Sequence, residues 1–311
     1  MPSIEIPLDP IFGIDIEAVA RKELQILDVI RIEFLPGRVI CETSACVPPL
    51  STVLATHTSG SVIAVEVIHH AAILPHFLSM FLNGPPVYII HADSHDDLGS
   101  PNVVPDATGR LIDRWTGKTV SPQEPFTVRS AVDSSAIEIG SYLTLALHLL
   151  PVIGIAFVFP DHSTANIAGV RNPSSITVGW AEDDLLNRGV RRLRCRPSRD
   201  GSNGIPILRC DGHCNLAELG SIIPRETPII LDIDCDYFDD ADEVGGLPHD
   251  ACTMDVAGFM QQVQMVVPRK HLKLISLSHS PGFCPRTSVE VICAEVLHSL
   301  DMGAHCRWKS W

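Results

Sequence analysis

The sequence predicts a doubly wound α/β fold, with a mainly parallel sheet and helices on both of its faces. Apolar segments rich in β-branched residues alternate with segments of helical periodicity, which is the pattern of βαβ units. Two of the apolar segments, residues 87–92 and 228–231, run directly into alternating acidic residues. Because central strands of a parallel sheet are continuously apolar, the acids mark the carboxyl ends of two such strands.

The elements are predicted in order along the chain. Residues 1–60 are expected to form short strands and loops, and 61–68 form the first buried strand. Apolar positions three and four residues apart predict a helix over 71–82, and the strand at 87–92 completes a βαβ unit. Further along we predict a polar loop at 99–125, a helix at 136–150, a strand at 154–159, an irregular insertion at 161–225, a strand at 228–236, a helix at 254–267, a strand at 272–278 and a helix at 287–300. We find no repeat or low-complexity segment and predict a single domain over residues 1–311.

Composition and charge narrow the classes of partner and compartment. The 311 residues carry a formal net charge of −14, which disfavours nucleic acid and favours cations. The first seven residues do not resemble a signal peptide, and ten cysteines without regular spacing are typical of reduced thiols. The apolar stretch at 143–160 is interrupted by His148, Pro151 and Gly154, so a buried helix and strand explain it better than a membrane span. We therefore expect a cytoplasmic protein that acts away from membranes, and we leave a homo-oligomer open.

The first acidic strand end predicts metal ligands. Asp93, His95 and Asp97 are spaced two residues apart, so an extended backbone would direct all three side chains to one face. Open α/β sheets bind ligands beyond the carboxyl ends of their strands, where these side chains would lie. Carboxylates and an imidazole that converge in this way need a positive charge between them, and a metal ion supplies it.

The second acidic strand end repeats the pattern. Asp232, Asp234 and Asp236 would share one face, and like charges this close cannot all ionise without a cation. Oxygen-rich ligands with one or two imidazoles suit Mn²⁺ better than Zn²⁺ or copper. Since the carboxylates exceed the needs of one ion, we predict two bridged Mn²⁺ ions.

Two histidines are predicted to join this site. His70 ends a strand one helix before the first acidic strand, so it can reach the same edge of the sheet as a ligand. His69 beside it would point elsewhere. His91 precedes Asp93 by two residues, and we expect it to support a ligand from behind.

These motifs resemble those of the ureohydrolases, the family of arginase and agmatinase. Residues 93–97, Asp-Ser-His-Asp-Asp, are similar to the family's Asp-Ala-His-x-Asp signature, and 231–234, Leu-Asp-Ile-Asp, are similar to its later Asp-x-Asp strand end. Residues 91–98 look closer to a divergent branch with His-x-Asp-Ser-His-x-Asp-Leu, and 141–160 and 276–283 are similar to that branch as well. The branch contains the peptide arginases, which convert arginine side chains of a ribosomal precursor peptide to ornithine.

The resemblance implies a ligand set and a mechanism. One Mn²⁺ would be held by His70, Asp93, Asp97 and Asp232, and the other by His95 and Asp234 together with the bridging Asp93 and Asp232. A hydroxide oriented by Asp97 would attack the guanidinium carbon, and the intermediate would collapse to urea and an amine. His279 is the candidate for passing a proton to the leaving amine, with a structural role as its alternative. Asp236 is one acid more than this scheme needs, so a register with Asp234 and Asp236 as the metal-binding pair stays open.

The predicted function is therefore hydrolysis of arginine in a precursor peptide to ornithine and urea. Ureohydrolases bind the guanidinium with a late glutamate, but residues 278–281 hold no acid, so Glu42, Glu66 or Asp236 would take that role. A recognition set for the α-amino and α-carboxyl groups of free arginine is not evident either, which favours a peptide. The alternatives are a metal-dependent amidohydrolase or deacetylase, a ureohydrolase acting on a small guanidino compound, and a non-catalytic metal-binding interaction protein.

Overall fold

The computed structural model of the protein describes residues 49–160, 163, 165–182, 191–200, 204–238, 255–280, 284 and 286–302, with the backbone of three further strands. The strands are β1 (Ser3–Pro7), β2 (Val29–Leu35), β3 (Arg38–Thr43), β4 (Val53–Ser59), β5 (Val62–Val67), β6 (Val87–Ala92), β7 (Val103–Pro105), β8 (Leu111–Asp113), β9 (Thr119–Val120), β10 (Val152–Phe159), β11 (Ser175–Glu182), β12 (Arg191–Ser198), β13 (Ile205–Asp211), β14 (Ile229–Asp234) and β15 (Leu272–Ser278). The helices are α1 (Leu74–Phe81), α2 (Pro125–Asp133), α3 (Tyr142–Leu149), α4 (Leu219–Ile222), α5 (Val256–Val266) and α6 (Arg286–Ser299). Short 3₁₀ turns occupy His70–Ile73, His213–Glu218 and Cys235–Tyr237.

Nine of these strands form one sheet, in the order β12-β11-β13-β10-β6-β14-β15-β5-β4. The six strands from β13 to β5 are parallel, and antiparallel strands lie at both edges. From β6 the chain moves to β10 on one side, whereas from β14 it moves to β15 on the other. The winding therefore reverses between the neighbours β6 and β14, which is where open α/β sheets form a ligand-binding crevice.

Helices cover both faces of this sheet. One core contains Phe77 of α1 and residues of α2 and α3, and the other contains Phe259 of α5 and residues of α6. Successive residues of β14 enter opposite cores, Ile230 the first and Leu231 the second. This two-sided burial explains the continuous apolar runs, and the predicted fold class is confirmed.

The apolar stretch at 143–160 belongs to helix α3 and strand β10, as predicted. Among the described residues, no helix has the length and apolar character needed to cross a membrane.

Two segments without an apolar pattern contain regular structure that the sequence prediction missed. Residues 99–125 include a small antiparallel sheet of β7, β8 and β9, where a loop was expected. The expectation of an irregular insertion at 161–225 is wrong, because β11, β12 and β13 in this segment extend the main sheet. The arginine-rich β12 is an edge strand, and edge strands carry charged side chains instead of an apolar pattern. The sequence of β12 therefore lacks the apolar periodicity from which a strand could be predicted.

Candidate metal centre

The pairing of β6 with β14 brings the acidic ends of these two strands to the same level at the edge of the sheet. Asp232 of β14 pairs with His91 of β6, so two residues further along each strand Asp234 comes level with Asp93. Strand β6 ends at Ala92 and β14 ends at Asp234. The acids consequently meet at the carboxyl edge, beside the point where the winding reverses.

The residues after β6 do not continue as an extended strand. Residues 93–95 form a bend, and Asp97 has a left-handed backbone with φ of 50°. Aspartate tolerates this conformation better than most side chains, although the backbone is strained. The bend sends His95 and Asp97 to different partners, where an extended backbone was expected to place them on one face.

The first group of ligand atoms surrounds Nδ1 of His70. This nitrogen lies 3.3 Å from Asp93 Oδ2, 3.2 Å from Asp97 Oδ2 and 3.3 Å from Asp234 Oδ2. All four side chains are buried, and neither His70 Nδ1 nor Asp97 Oδ2 has a hydrogen-bond partner among the described residues. Buried polar atoms without partners are unfavourable in proteins, and a cation bound between His70, Asp93 and Asp97, whose ligand atoms lie within 4.8 Å of one another, would satisfy them. The donor set of one imidazole and two carboxylates, with Asp234 beside it, therefore fits a hard divalent ion such as Mn²⁺.

The second group of ligand atoms shares Asp93 with the first. His95 Nδ1 lies 3.4 Å from Asp93 Oδ1 and 3.3 Å from Asp236 Oδ2. Asp93 thus directs Oδ2 to the first group and Oδ1 to the second, which is how a carboxylate bridges two ions. Asp236 is buried, whereas half of the His95 side chain is exposed (50%). The centre opens to solvent on the His95 side.

Asp232 lies behind His70. Its carboxylate accepts hydrogen bonds from His70 Nε2 at 2.9 Å, His91 Nδ1 at 3.0 Å and Tyr142 Oη at 2.5 Å, and also from Ser276 Oγ. Because Asp232 holds Nε2, the other ring nitrogen of His70 faces the acids. His91 contacts the same carboxylate through Nδ1 and lies 3.5 Å from Asp93 Oδ2 through Nε2, and its role in supporting a ligand stays a prediction.

The structure favours a different register for the second acidic strand end. The sequence assigned Asp232 and Asp234 to the two ions, with Asp232 as a bridge. In the structure, Asp234 lies beside His70 and Asp236 beside His95, which is the register that the sequence left open. Asp232 forms a further group of possible ligands with His70 and His91, so its role as a ligand stays a prediction. Strand β14 continues to Asp234, so Asp232 lies one alternation below the edge. Aligning the two strand ends on Asp93 and Asp234 would have indicated this arrangement.

Burial and mutual repulsion shift the pKa values in the centre without metal. Burial and the charge of Asp93 raise the pKa of Asp97 to about 7, and burial with Asp234 and Asp93 raises that of Asp236 well above its usual range. Hydrogen bonds to Asp236 and Asp93 raise the pKa of His95 to about 11. The metal-free centre consequently retains protons that metal ions would displace.

His279 lies in a different cluster. Its Nε2 is 3.3 Å from Glu66 Oε2 and 3.6 Å from Cys293 Sγ, and His57 Nε2 binds the other oxygen of Glu66 at 2.6 Å. Glu66, one of the acids considered for guanidinium binding, is thus buried and paired with two imidazoles. The side chain of Glu42 lies outside the described residues. The role of His279 as a proton shuttle stays a prediction.

Comparison with known proteins gives structural similarities alone. No protein-family model and no curated protein matches the sequence. A hypothetical agmatinase from Burkholderia thailandensis is similar with 16% identity and a TM-score of 0.40, over 76% of this chain and 57% of its own. The arginase of Helicobacter pylori is similar with 14% identity and a TM-score of 0.33, over 76% of this chain and 71% of its own. The chain therefore spans little more than half the length of the agmatinase that it matches.

Proposed function

We propose that the protein is a dinuclear manganese hydrolase of the ureohydrolase type, and that it converts arginine in a precursor peptide to ornithine and urea. The observation that carries the proposal is the Asp93 carboxylate, which contributes one oxygen to each of two groups of ligand atoms. The resemblance of residues 93–97 to the ureohydrolase signature supports the same chemistry.

The described residues supply a ligand set for each ion. One ion would be held by His70, Asp93 and Asp97, with Asp234 next to His70, and the other by Asp93, His95 and Asp236. When bound, two Mn²⁺ ions provide a Lewis acid and lower the pKa of a water molecule so that it becomes a nucleophile.

The protein's own groups would orient this chemistry. Asp97 lies in the first ligand group with a buried oxygen directed into the centre, so it is placed to accept a proton from the attacking water. Asp232 fixes the ring of His70 from behind, and the half-exposed His95 marks the side from which the substrate enters. The surplus of carboxylates attracts the positively charged guanidinium group.

One feature of the sequence favours arginine within a peptide over free arginine. The sequence offers no evident recognition set for free α-amino and α-carboxyl groups, and a peptide-bound arginine has no such free groups. Burial of the ligands other than His95 favours a substrate with a long guanidino side chain that enters past His95, whether that side chain is free or in a peptide.

Urea release by the manganese-loaded protein tests the proposal. We would compare free arginine, agmatine and an arginine-containing peptide with blocked ends, and follow ornithine in the peptide by mass spectrometry. We expect urea from the peptide. The variant Asp97→Asn should lose at least about 100-fold of the rate, as is typical when a group that transfers a proton is removed. Asp301→Asn, which alters an exposed carboxylate paired with Arg269, serves as the matched control.

The outcomes separate the alternatives. Urea from free arginine or agmatine alone would replace the peptide by a small guanidino compound. Absence of urea from all three substrates, with two metal ions bound, would contradict guanidinium hydrolysis. Release of acetate from an acetyl-lysine peptide would then support the deacetylase alternative.

A further inference from the structure

A second cluster of ligand atoms lies outside the carboxylate centre. Glu66 belongs to β5, His279 directly follows β15, and Cys293 belongs to α6. One ligand atom from each residue lies within 4.8 Å of the others. Glu66 and Cys293 are buried, and His279 is largely so.

The distances in this cluster match those between ligands of a tetrahedral zinc ion. Zinc binds nitrogen and oxygen at about 2.0–2.2 Å and sulfur at about 2.3 Å, so tetrahedral angles separate nitrogen from oxygen by about 3.4 Å and nitrogen from sulfur by about 3.6 Å. The observed separations are 3.3 Å from His279 Nε2 to Glu66 Oε2 and 3.6 Å from His279 Nε2 to Cys293 Sγ. The two separations from His279 therefore match those around one ion, and all three ligand atoms lie within 4.8 Å of one another.

The surroundings of the cluster also fit a metal. His57 Nε2 binds Glu66 Oε1 at 2.6 Å, which orients the carboxylate in the way that outer hydrogen bonds orient metal ligands. Cys293 Sγ lies 3.6 Å from His279 Nε2 and 4.0 Å from Cys235 Sγ, so its sulfur faces polar groups in a buried setting. Because Cys293 is fully buried, this sulfur is suited to an ion and not to attack on a substrate.

We propose that Glu66, His279 and Cys293 bind one zinc ion at a site separate from the manganese centre. Thiolate, imidazole and carboxylate are the ligand types that zinc prefers. The ion would tie β5, the end of β15 and α6 together. It would thereby fix the turn in which Ser280 Oγ donates a hydrogen bond to Asp234, so the second site supports the first.

Cobalt substitution tests this site without relying on activity. We would strip the full-length protein with a chelator and titrate it with Co²⁺. Among the described residues the carboxylate centre has no sulfur ligand, so a thiolate-to-metal charge-transfer band distinguishes cobalt bound by a cysteine from cobalt in that centre. We expect the band to saturate at one equivalent and to disappear when Zn²⁺ is added.

Variants assign the band to the proposed ligands. Cys293→Ser should abolish it and remove one equivalent of zinc from the purified protein, whereas Cys195→Ser on β12 should leave both unchanged. No band in the wild-type protein, or a band that persists in folded Cys293→Ser, would overturn the proposal. If Cys293→Ser does not fold, we would titrate the His279→Gln variant with Co²⁺ instead. Cobalt binding weakened at least tenfold supports the site, and unchanged cobalt binding overturns it.

Discussion

At the residue scale, the carboxylate of Asp232 determines which nitrogen of His70 faces the acids. It accepts four hydrogen bonds, one of them from His70 Nε2. These contacts and the nearby positive charge lower the pKa of Asp232 although burial opposes ionisation. An ionised acceptor that is fully surrounded by donors keeps the imidazole in one orientation.

The variant Asp232→Asn should weaken manganese binding about 10–100-fold, the usual effect of losing a group that orients a metal ligand. The asparagine amide replaces one acceptor by donors, so at least one of the four hydrogen bonds is lost. Calorimetric titration with Mn²⁺ measures the change, and Asp301→Asn provides the exposed control. Unchanged affinity in a folded Asp232→Asn protein would show that His70 needs no such support.

His279 predicts a pH dependence of stability in the metal-free protein. Burial disfavours its charge, but the contacts with Cys293 and Glu66 raise the pKa of His279 to about 9. Because the pKa of His279 is higher in the folded than in the unfolded protein, its protonation stabilises the folded state. This stabilisation is fully present below the unfolded pKa of about 6.5 and is lost as the pH rises to about 9. The contribution of His279 to the free energy of unfolding should therefore fall over this range by on the order of 3 kcal/mol, while the Cys293 thiol, whose pKa is lowered to about 7, contributes in the opposite direction. Urea titrations in chelator should show a flatter profile for His279→Asn than for wild type, and parallel profiles would refute the assignment.

At the element scale, the packing of β10 on β6 depends on a glycine. A Cβ atom at Gly154 would lie 2.4 Å from Cε2 of Tyr88, whose ring is buried on β6. Strand β6 carries His91 and leads into Asp93. The close approach of β10 to β6 therefore helps to position the edge of the sheet at which the candidate metal ligands lie. The glycine that interrupts the apolar stretch at 143–160 therefore has a packing role.

Gly154→Ala should destabilise the protein by about 1–3 kcal/mol, because the buried ring has to move to admit the methyl group. Gly179→Ala on β11 is the matched control, since a Cβ atom there meets no atom within 4 Å. The midpoint of urea unfolding measures both variants. Equal midpoints for the two would mean that Tyr88 moves without cost, and Tyr88→Leu combined with Gly154→Ala should recover part of the loss.

At the scale of the whole molecule, folding brings carboxylates from distant parts of the chain into one buried group. Asp93 and Asp236 are separated by more than a hundred residues, yet both lie beside His95. Their repulsion opposes folding, and protons on Asp236 and His95 relieve it when metal is absent. Metal binding should accordingly stabilise the entire fold.

Manganese should raise the free energy of unfolding by about 2.7 kcal/mol at a concentration of 100 times its Kd. Asp236→Asn should keep the metal-free stability of wild type or exceed it, because it removes one of the repelling acids, while most of the stabilisation by manganese is lost. Thermal unfolding with and without Mn²⁺ checks both statements. A variant that is stabilised by manganese as much as wild type would exclude Asp236 from the ligand set.

Local sequence patterns predicted much of the fold and of the candidate site. The continuous apolar runs of β6 and β14 predict buried parallel strands, and the acids that follow them predict a metal-binding edge, because both signals arise from neighbours in the sequence. The edge strand β12 gave no such signal, since four of its eight residues are arginines and its sequence follows no apolar pattern.

By itself the sequence determined that His70, Asp93, His95 and Asp97 lie near a second acidic strand end, and that the sheet is of the doubly wound type. Only the tertiary structure decided that Asp234 comes level with Asp93 and that Asp236 lies beside His95. The reason is physical: the depth of a residue at a sheet edge depends on its register with the neighbouring strand, and register is fixed by pairing between strands far apart in the chain. The cluster of Glu66, His279 and Cys293 was decided in the same way, since β5, β15 and α6 meet only in the folded molecule.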